Sequence, residues 1–220
     1  SAQVFDDIEQ VKEVFAKTEP HAPLSKVFMT YYWYDIFVQN VELENKSSEH
    51  FLCLFDHNND PLAMLPMYAK QDSSKRRSLH SLTNYYSPIY DVLFDEQQIS
   101  RGEALRYLFV LNQDFLKGFD SINISPVYGE VSSEFTGQWV SRWCRPYTHQ
   151  KSVNWFSKFE DFEGFQKTLS SRVKNTYKRK LKRLDKNEDW SFHYLTSPDE
   201  MVEALDDYDA VYASSWKKSE

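Results

Sequence analysis

Glycine is scarce in this sequence, with five among 220 residues. This scarcity argues against a glycine-rich loop that wraps a nucleotide phosphate, because such loops need several glycines close together. Only two cysteines occur, Cys53 and Cys144, which are too few for a disulfide framework or for a zinc site of cysteines alone. The six histidines are scattered without the spacing of metal ligands, so we expect no metal site.

Long apolar runs are also lacking. No stretch approaches the about 18 consecutive apolar residues of a membrane-spanning helix, and the first residues lack the pattern of a secretory signal peptide. We therefore expect a cytoplasmic protein without a membrane span. Hydrophobic residues make up 41% and aromatic residues 16% of the chain, which is enough for a substantial core.

Positive charge is confined to one segment of an acidic protein. The formal net charge is −7. Residues 170–186 contain eight Lys or Arg and one acid, Asp185, and therefore carry +7. Subtracting that +7 from −7 leaves −14 for the rest of the chain. Such a local basic feature favours an anionic small molecule over a long nucleic acid, since nucleic-acid-binding proteins spread positive charge over a whole face.

The basic segment predicts an amphipathic helix whose two flanks differ chemically. Guanidinium groups bind phosphate or carboxylate in a bidentate manner, whereas ammonium groups are strongly hydrated point charges. We therefore hypothesise that the arginine flank and Lys180 face a binding site and that the lysine flank faces water. The alternative is a solvated helix whose charges aid solubility. The apolar stripe is Val173, Tyr177, Leu181 and Leu184, the arginine flank is Arg172, Arg179 and Arg183, and the lysine flank is Lys174, Lys178, Lys182 and Lys186.

Hydrophobic periodicity up to Phe159 predicts two helices, three or four antiparallel strands, and then a helix, a strand, a helix and a strand. The expected fold class is mixed α/β, a largely antiparallel sheet flanked by helices. The predicted helices cover 6–17, 24–41, 95–118 and 132–144, and the predicted strands cover 50–55, 62–69, 78–83, 89–94, 119–125 and 147–159. The segment 56–60, rich in Asn and Asp, predicts a hairpin turn between the first two strands.

The residue pattern of the sequence changes after Phe159. We predict a short helix over 161–169, the basic helix, a strand over 189–195, and an acidic helix that Ser197 and Pro198 open with a capping box. We therefore expect a first lobe over 1–159 and the opening of a second lobe over 160–220. The sequence stops at Glu220 within a predicted helix, so we expect the chain to continue beyond it.

Four segments together resemble the FemAB-like branch of the GNAT acyltransferases, which includes the BioF2-like or CelD-like acetyltransferases. They are Tyr34 to Phe37, Leu82 to Pro88 (LTNYYSP), Ser171 to Leu184 with its pattern Ser-Arg…Asn…Arg-Lys…Arg-Leu, and Ser215 to Lys217. The resemblance implies two GNAT-like lobes in tandem. It also implies transfer of an acyl or aminoacyl group from a thioester or ester donor to an amine, with acyl-CoA as co-substrate of the full-length protein.

One departure from this family concerns the donor. GNAT enzymes hold the coenzyme A pyrophosphate on a loop of the form Gln/Arg-x-x-Gly-x-Gly/Ala at a helix N-terminus. No two glycines here are separated by a single residue; they are Gly102, Gly118, Gly129, Gly137 and Gly164. We therefore expect the donor site beyond Glu220. The present chain should bind no cofactor, contribute groups on the acceptor side, and be inactive alone.

The resemblance and the charge pattern together nominate site residues. The arginine flank could clamp a phosphate or carboxylate of the acceptor, which we expect to be an anionic small molecule or a cell-envelope precursor. Lys180, if buried, would favour its neutral form and could serve as a base or as an oxyanion donor, although a side chain reaching the surface is the favoured alternative. The candidate substrate-binding residues are Arg172, Arg179, Arg183, Asn84, Tyr85, Tyr86, Trp216 and Lys217, and Lys180 is a weak catalytic candidate.

Each of these assignments has an alternative. The segment 84–88 could form a turn before a rigid Ser-Pro step, and Trp216 with Lys217 could anchor a core. The basic helix over 172–186 could belong to a nucleic-acid-binding module, which is the less favoured partner. It could also belong to a noncatalytic interaction lobe in which it docks on the acidic helix.

Overall fold

The computed structural model describes residues 1–19, 24–41, 48–84, 86–138, 144–149, 158–186 and 190–215. Tyr85, Trp216 and Lys217 lie outside the described residues, so their predicted roles stay predictions. The chain divides into two compact units, Ser1–Val153 and Asn154–Glu220, which we term the N-terminal and the C-terminal unit. The division lies a few residues before the predicted boundary after residue 159. That the two units are GNAT-like lobes stays a prediction.

The N-terminal unit opens with a strand, which the sequence pattern did not predict, and continues with two helices. The predicted helix over 24–41 is divided at Thr30, because this residue has an extended backbone and its Oγ1 accepts a hydrogen bond from the amide of Trp33 at 3.4 Å. The elements are β1 (Ala2–Phe5), a 3₁₀ turn (Ile8–Val11), α1 (Lys12–Thr18), a second 3₁₀ segment (Leu24–Met29) and α2 (Tyr31–Asn40).

A six-stranded mixed sheet forms the centre of this unit. Its order is β1-β2-β3-β4-β6, with β5 paired to β3, and every pair is antiparallel except β4 with β6. The turn between β2 and β3 is set by Asp56, whose Oδ1 accepts the amides of Asn58 and Asp60 at 2.8 Å. The remaining strands are β2 (Ser48–Phe55), β3 (Pro61–Gln71), β4 (Arg77–Ser81), β5 (Leu93–Phe94) and β6 (Ser121–Asn123).

Three helices complete the N-terminal unit: α3 (Arg101–Leu111), α4 (Gln113–Leu116) and α5 (Gly129–Gln138). The predicted start at Asp95 is wrong, because the helix begins after Ser100, which forms a capping box with Glu103. Residues 119–125 contribute only the short β6. The predicted strand over 147–159 is absent from residues 145–149, and residues 150–157 lie outside the described part.

Both faces of the sheet are covered by helices, as β2 illustrates. Leu52 and Leu54 pack with α3, α4 and α5, whereas Phe51 and Cys53 point to the other face and pack with α1 and α2. All four side chains are buried. The predicted fold class is therefore confirmed: the structure is mixed α/β, with a mostly antiparallel sheet flanked by helices.

The described residues of the C-terminal unit form four helices and no strand. The basic helix is confirmed as α7 (Ser171–Leu184), and the capping box of Ser197 opens α8 (Pro198–Glu203) as predicted. The predicted strand over 189–195 is wrong, because residues 190–195 pair with no described strand and expose Phe192 and Tyr194. No described residue of this unit is buried. The other helices are α6 (Phe162–Thr168) and α9 (Leu205–Ser214), which is separated from α8 at Ala204.

Across the described parts of both units, no helix has the length and the apolar character that crossing a bilayer requires.

Candidate functional site

The carboxyl ends of the two parallel strands β4 and β6 are joined by side-chain hydroxyls. Ser81 Oγ donates to the Ser125 carbonyl at 2.5 Å and accepts from the Ser125 amide at 3.1 Å. Thr83 Oγ1 donates to the same carbonyl at 2.8 Å. Ligands often bind where parallel strands end, but here the protein's own hydroxyl groups satisfy the backbone at this position.

The segment that follows β4 forms a turn around Asn84. Its Oδ1 accepts the amide of Tyr86 at 2.9 Å, and its carbonyl accepts the amide of Ser87 at 3.1 Å. This is the turn that the sequence allowed as an alternative to a pocket. Asn84 is half-buried and Tyr86 is exposed, so a role for them in ligand binding stays a prediction.

The N-terminus of α3 is occupied by the chain's own carboxylate. Glu103 Oε2 lies 2.5 Å from Ser100 Oγ and 3.3 Å from the Ser100 amide. Hydrogen bonding to Ser100 holds the pKa of Glu103 below its ordinary value, so the group is ionised at neutral pH. A pyrophosphate at this helix end would meet a like charge. The residues present therefore do not fit the coenzyme A pyrophosphate at this position.

A cavity of about 340 Å³ lies between α3, α5 and the segment that leads into β5. Arg101, the first residue of α3, is one of the polar side chains that line it. Arg101 Nε lies 3.1 Å from Asp91 Oδ2, and Arg101 Nη1 lies 3.3 Å from Glu134 Oε1 on α5. The guanidinium also lies over the ring of Phe94, with its carbon 5.8 Å from the ring centroid. The cavity thus combines an apolar wall with a cluster of three charged groups, which we term the Asp91 cluster (Asp91, Arg101 and Glu134).

Burial controls the electrostatics of the Asp91 cluster. Asp91 is only 7% exposed, and its Oδ1 accepts the amide of Val92 at 2.8 Å. Burial raises the pKa of the Asp91 carboxyl above its ordinary value, and the positive charge of Arg101 opposes that rise. Nearby, burial and then the charge of Asp91 raise the pKa of the Tyr34 phenol. The Tyr34 hydroxyl has no hydrogen-bond partner among the described residues.

Sequence reasoning missed the Asp91 cluster. Asp91 was placed in a predicted strand, and Arg101 and Glu134 were placed in predicted helices. The three residues have no common motif, and long stretches of chain separate them. No local signal in the sequence could have joined them, because only the packing of α3 and α5 beside β5 brings them together.

The arginine flank of α7 is exposed, and Arg172, Arg179 and Arg183 form no ion pair with a described residue. A shallow cavity of about 250 Å³ between α6 and α7 is lined by Lys174 and Lys178, members of the lysine flank. Lys174 Nζ donates to the Lys167 carbonyl at 3.1 Å. Within this unit the cavity therefore lies on the side that the charge pattern assigned to water. That the arginines bind a ligand stays a prediction.

Two further expectations concern Lys180 and the acidic helix. Lys180 is exposed, so the burial on which its role as a base depended is not found. Among the residues described in the C-terminal unit, no ion pair joins α7 to the acidic residues of α8 and α9, which include Asp199, Glu200 and Asp206. The basic helix is therefore not neutralised by the acidic one through direct salt bridges there.

Comparisons with known proteins found likenesses only among solved structures. No family model matches the chain, and no curated protein matches its sequence. A mutant of the BH1408 protein from Bacillus halodurans is similar with a TM-score of 0.42 and 15% identity, over 70% of this chain and 99% of that one.

Two enzymes are similar at a comparable level. A ribosomal-protein-alanine N-acetyltransferase from Brucella melitensis biovar Abortus 2308 has a TM-score of 0.39 and 8% identity, over 71% of this chain and 99% of its own. An aminoglycoside antibiotic 6'-N-acetyltransferase from Acinetobacter baumannii has a TM-score of 0.34 and 8% identity, over 70% of this chain and 100% of its own. Likenesses this low establish neither a family nor an activity for this chain.

Proposed function

We propose that the chain is part of a GNAT-type N-acyltransferase of the FemAB-like branch. It transfers an acyl or aminoacyl group from a thioester or ester donor to an amine on an anionic acceptor. The proposal is supported by one combination: a helix-flanked, mostly antiparallel sheet in the N-terminal unit, followed by the Ser171–Leu184 helix whose motif resembles that branch. This is an argument by analogy of fold and motif, and catalysis must be argued from the residues.

Acyl transfer to an amine requires a proton acceptor, donors for the developing oxyanion and correct positioning of the two substrates. The described residues offer acidic and basic groups in the Asp91 cluster and cations along α7. The N-terminus of α3 is closed to a pyrophosphate by Glu103. We therefore assign the groups of both units to the acceptor side and place no acyl-CoA in the N-terminal unit.

The anionic acceptor is assigned to the arginine flank. Arg172 and Arg179 are exposed and carry no competing ion pair with a described residue, so their guanidinium groups are available to a phosphate or carboxylate. A charged hydrogen bond contributes about 1.5–3 kcal/mol. Loss of one such contact should lower kcat/KM about 10- to 100-fold.

This assignment is tested by transfer in the natural full-length protein. Release of free thiol from acetyl-CoA is measured with a panel of amines that carry a phosphate or carboxylate. The double variant Arg172→Ala with Arg179→Ala should lose at least about tenfold in kcat/KM. The matched control removes two cations from the lysine flank, Lys178→Ala with Lys182→Ala, and should retain most of the activity. Equal losses in both variants would contradict the arginine clamp, and absence of turnover with every amine and acyl-CoA would contradict the acyltransferase.

A second candidate function is nucleic-acid binding, which is favoured by the cations of α7, since none of them forms an ion pair with a described residue. In that case the lysine flank should matter as much as the arginine flank, and affinity should fall steeply with salt concentration. Binding of a fluorescent single-stranded RNA at several salt concentrations distinguishes the two functions. A steep salt slope that Lys178→Ala and Arg179→Ala reduce equally would favour nucleic acid over an acyl acceptor.

A further inference from the structure

The cavity beside the Asp91 cluster has the size and the wall composition of a small-molecule site. Its volume of about 340 Å³ falls within the range of about 300–1,000 Å³ that is usual for such sites. Met29, Val92 and Val131 contribute apolar surface to its wall. Six polar residues also line it, and three of them form the Asp91 cluster; the six are Thr18, Asp91, Glu96, Arg101, Tyr128 and Glu134.

The charges within the Asp91 cluster do not balance. Two carboxylates, of Asp91 and Glu134, share the single guanidinium of Arg101, which leaves one net negative charge in the cluster. The contacts are also long, at 3.1 and 3.3 Å, whereas charge-assisted N–H···O hydrogen bonds usually measure about 2.7–2.9 Å. Although Arg101 Nε is within ion-pair distance of Asp91, it makes no hydrogen bond among the described residues. Both carboxylates therefore have capacity for a further donor.

Burial makes the imbalance costly. Asp91 is 7% exposed, so its charge acts in a medium of lower effective dielectric than water. The Tyr34 hydroxyl, close enough to Asp91 to feel its charge, is buried without a partner among the described residues. Glu134, in contrast, has 39% of its side chain exposed and can be approached from solvent. A cationic donor that enters past Glu134 would relieve the unmatched negative charge.

We propose that this cavity binds the protonated amine of a small organic molecule with a short apolar body. The ammonium group contacts the carboxylates of Asp91 and Glu134 beside the Arg101 guanidinium that already bridges them, and the apolar body packs against Met29 and Val131. An ammonium supplies three donors and one positive charge, which matches the excess carboxylate. An anionic group at this position would be repelled by the same charge, and a neutral group would leave the charge unmatched.

This inference deepens the proposed function, on which it rests for its biological meaning, because an N-acyltransferase must hold an amine. The binding itself is tested without turnover. If no amine binds, the amine site is refuted, and the acyltransferase activity is still tested by the transfer assay. If no transfer occurs, the activity is refuted, and the amine site is still tested by the binding assay.

The test uses benzylamine as the probe and benzyl alcohol as its neutral counterpart. Both are titrated into the ¹⁵N-labelled full chain at pH 7, and amide shifts are followed by NMR. Benzylamine should bind with an affinity at least about tenfold above that of the alcohol, since a charged contact contributes about 1.5–3 kcal/mol. The shifts should concentrate at residues 89–94, 101 and 131–134. Because this comparison uses the natural protein, it does not depend on the folding of any variant.

A pair of matched variants then tests whether the carboxylate of Glu134 binds the ammonium group. Glu134→Gln should weaken benzylamine binding about tenfold. Glu13→Gln removes the same charge from an exposed position of α1 that is not part of the cavity wall, and it should leave the affinity unchanged. Equal affinities for amine and alcohol, equal losses in both variants, or no shifts with millimolar benzylamine would each overturn the proposal.

Discussion

Two buried tyrosines should respond in opposite directions to the same chemical change. Tyr34 and Tyr90 are each 1% exposed. The Tyr34 hydroxyl has no hydrogen-bond partner among the described residues. The Tyr90 hydroxyl donates to the Pro66 carbonyl at 2.5 Å and lies 3.1 Å from Met67 Sδ. We predict that Tyr34→Phe stabilises the protein and that Tyr90→Phe destabilises it.

The magnitudes follow from the contacts. A buried hydroxyl without a hydrogen bond costs about 1–3 kcal/mol, and deleting the oxygen of Tyr34 recovers part of this while leaving a small void. We expect a gain of about 1 kcal/mol in the free energy of unfolding. Deleting the oxygen of Tyr90 loses one hydrogen bond, but the Pro66 carbonyl still accepts the amide of Leu82 at 3.1 Å. That loss should be about 1 kcal/mol.

The two variants should therefore differ by about 2 kcal/mol, which corresponds to about 4–8 °C in Tm for a unit of this size. Urea denaturation followed by circular dichroism measures the free energy, and calorimetry measures Tm. The ring of each residue is retained, so the apolar packing, including the contact of Tyr34 with Phe15 at 5.5 Å between centroids, serves as an internal control. A clear loss of stability in Tyr34→Phe would refute the reasoning, because it would show that the hydroxyl has a hydrogen-bond partner after all.

Three further predictions concern titratable and capping groups. Burial raises the folded-state pKa of Asp91, so the folded protein binds the carboxyl proton more tightly than the unfolded chain. The contribution of this proton to stability therefore falls as pH rises from about 3.8 through the folded pKa. In urea denaturation at stepped pH, the stability of Asp91→Asn relative to the natural protein should rise over the same interval, and a flat difference would contradict this. Burial also raises the pKa of both thiols, and Cys53 is buried whereas Cys144 is only half-buried. Ellman's reagent should therefore react with Cys144 first in the native protein and with Cys53 only upon unfolding. Equal reaction rates would contradict the buried position of Cys53. Ser100→Ala removes the cap of α3 and should lower the free energy of unfolding by about 1 kcal/mol, whereas Ser100→Asp, which can still cap, should lose much less.

Local signals in the sequence predicted individual elements where the signal was complete within a few residues. The capping box of Ser197 with Pro198 placed the start of α8, and the Asp56 turn placed the β2–β3 hairpin. The start of α3 could also have been found, since Ser100 and Glu103 have the spacing of a capping box. Asp95 and Gln98 have the same spacing, and they predicted a start at Asp95.

Other elements depend on partners that are distant in the chain. Strand β1 exists because it pairs with β2, Ala2 opposite Leu54, and its four residues show no pattern of their own. Residues 190–195 have the alternation of a strand, yet they pair with no described strand, and Phe192 and Tyr194 remain exposed. A strand needs an adjacent strand for its hydrogen bonds, whereas a helix makes them internally. This difference explains why helices were predicted more reliably than strands.

The mixed α/β class, the basic helix with its segregated arginines and lysines, and the hairpin and capping signals follow from the sequence alone, because each depends on periodicity or on contacts between near neighbours. The sheet order and the cavity in which Asp91 and Glu134 share Arg101 became apparent only in the folded structure. These features arise from residues that are far apart in the chain, and the cost of an unmatched buried charge exists only after folding has removed water from around it.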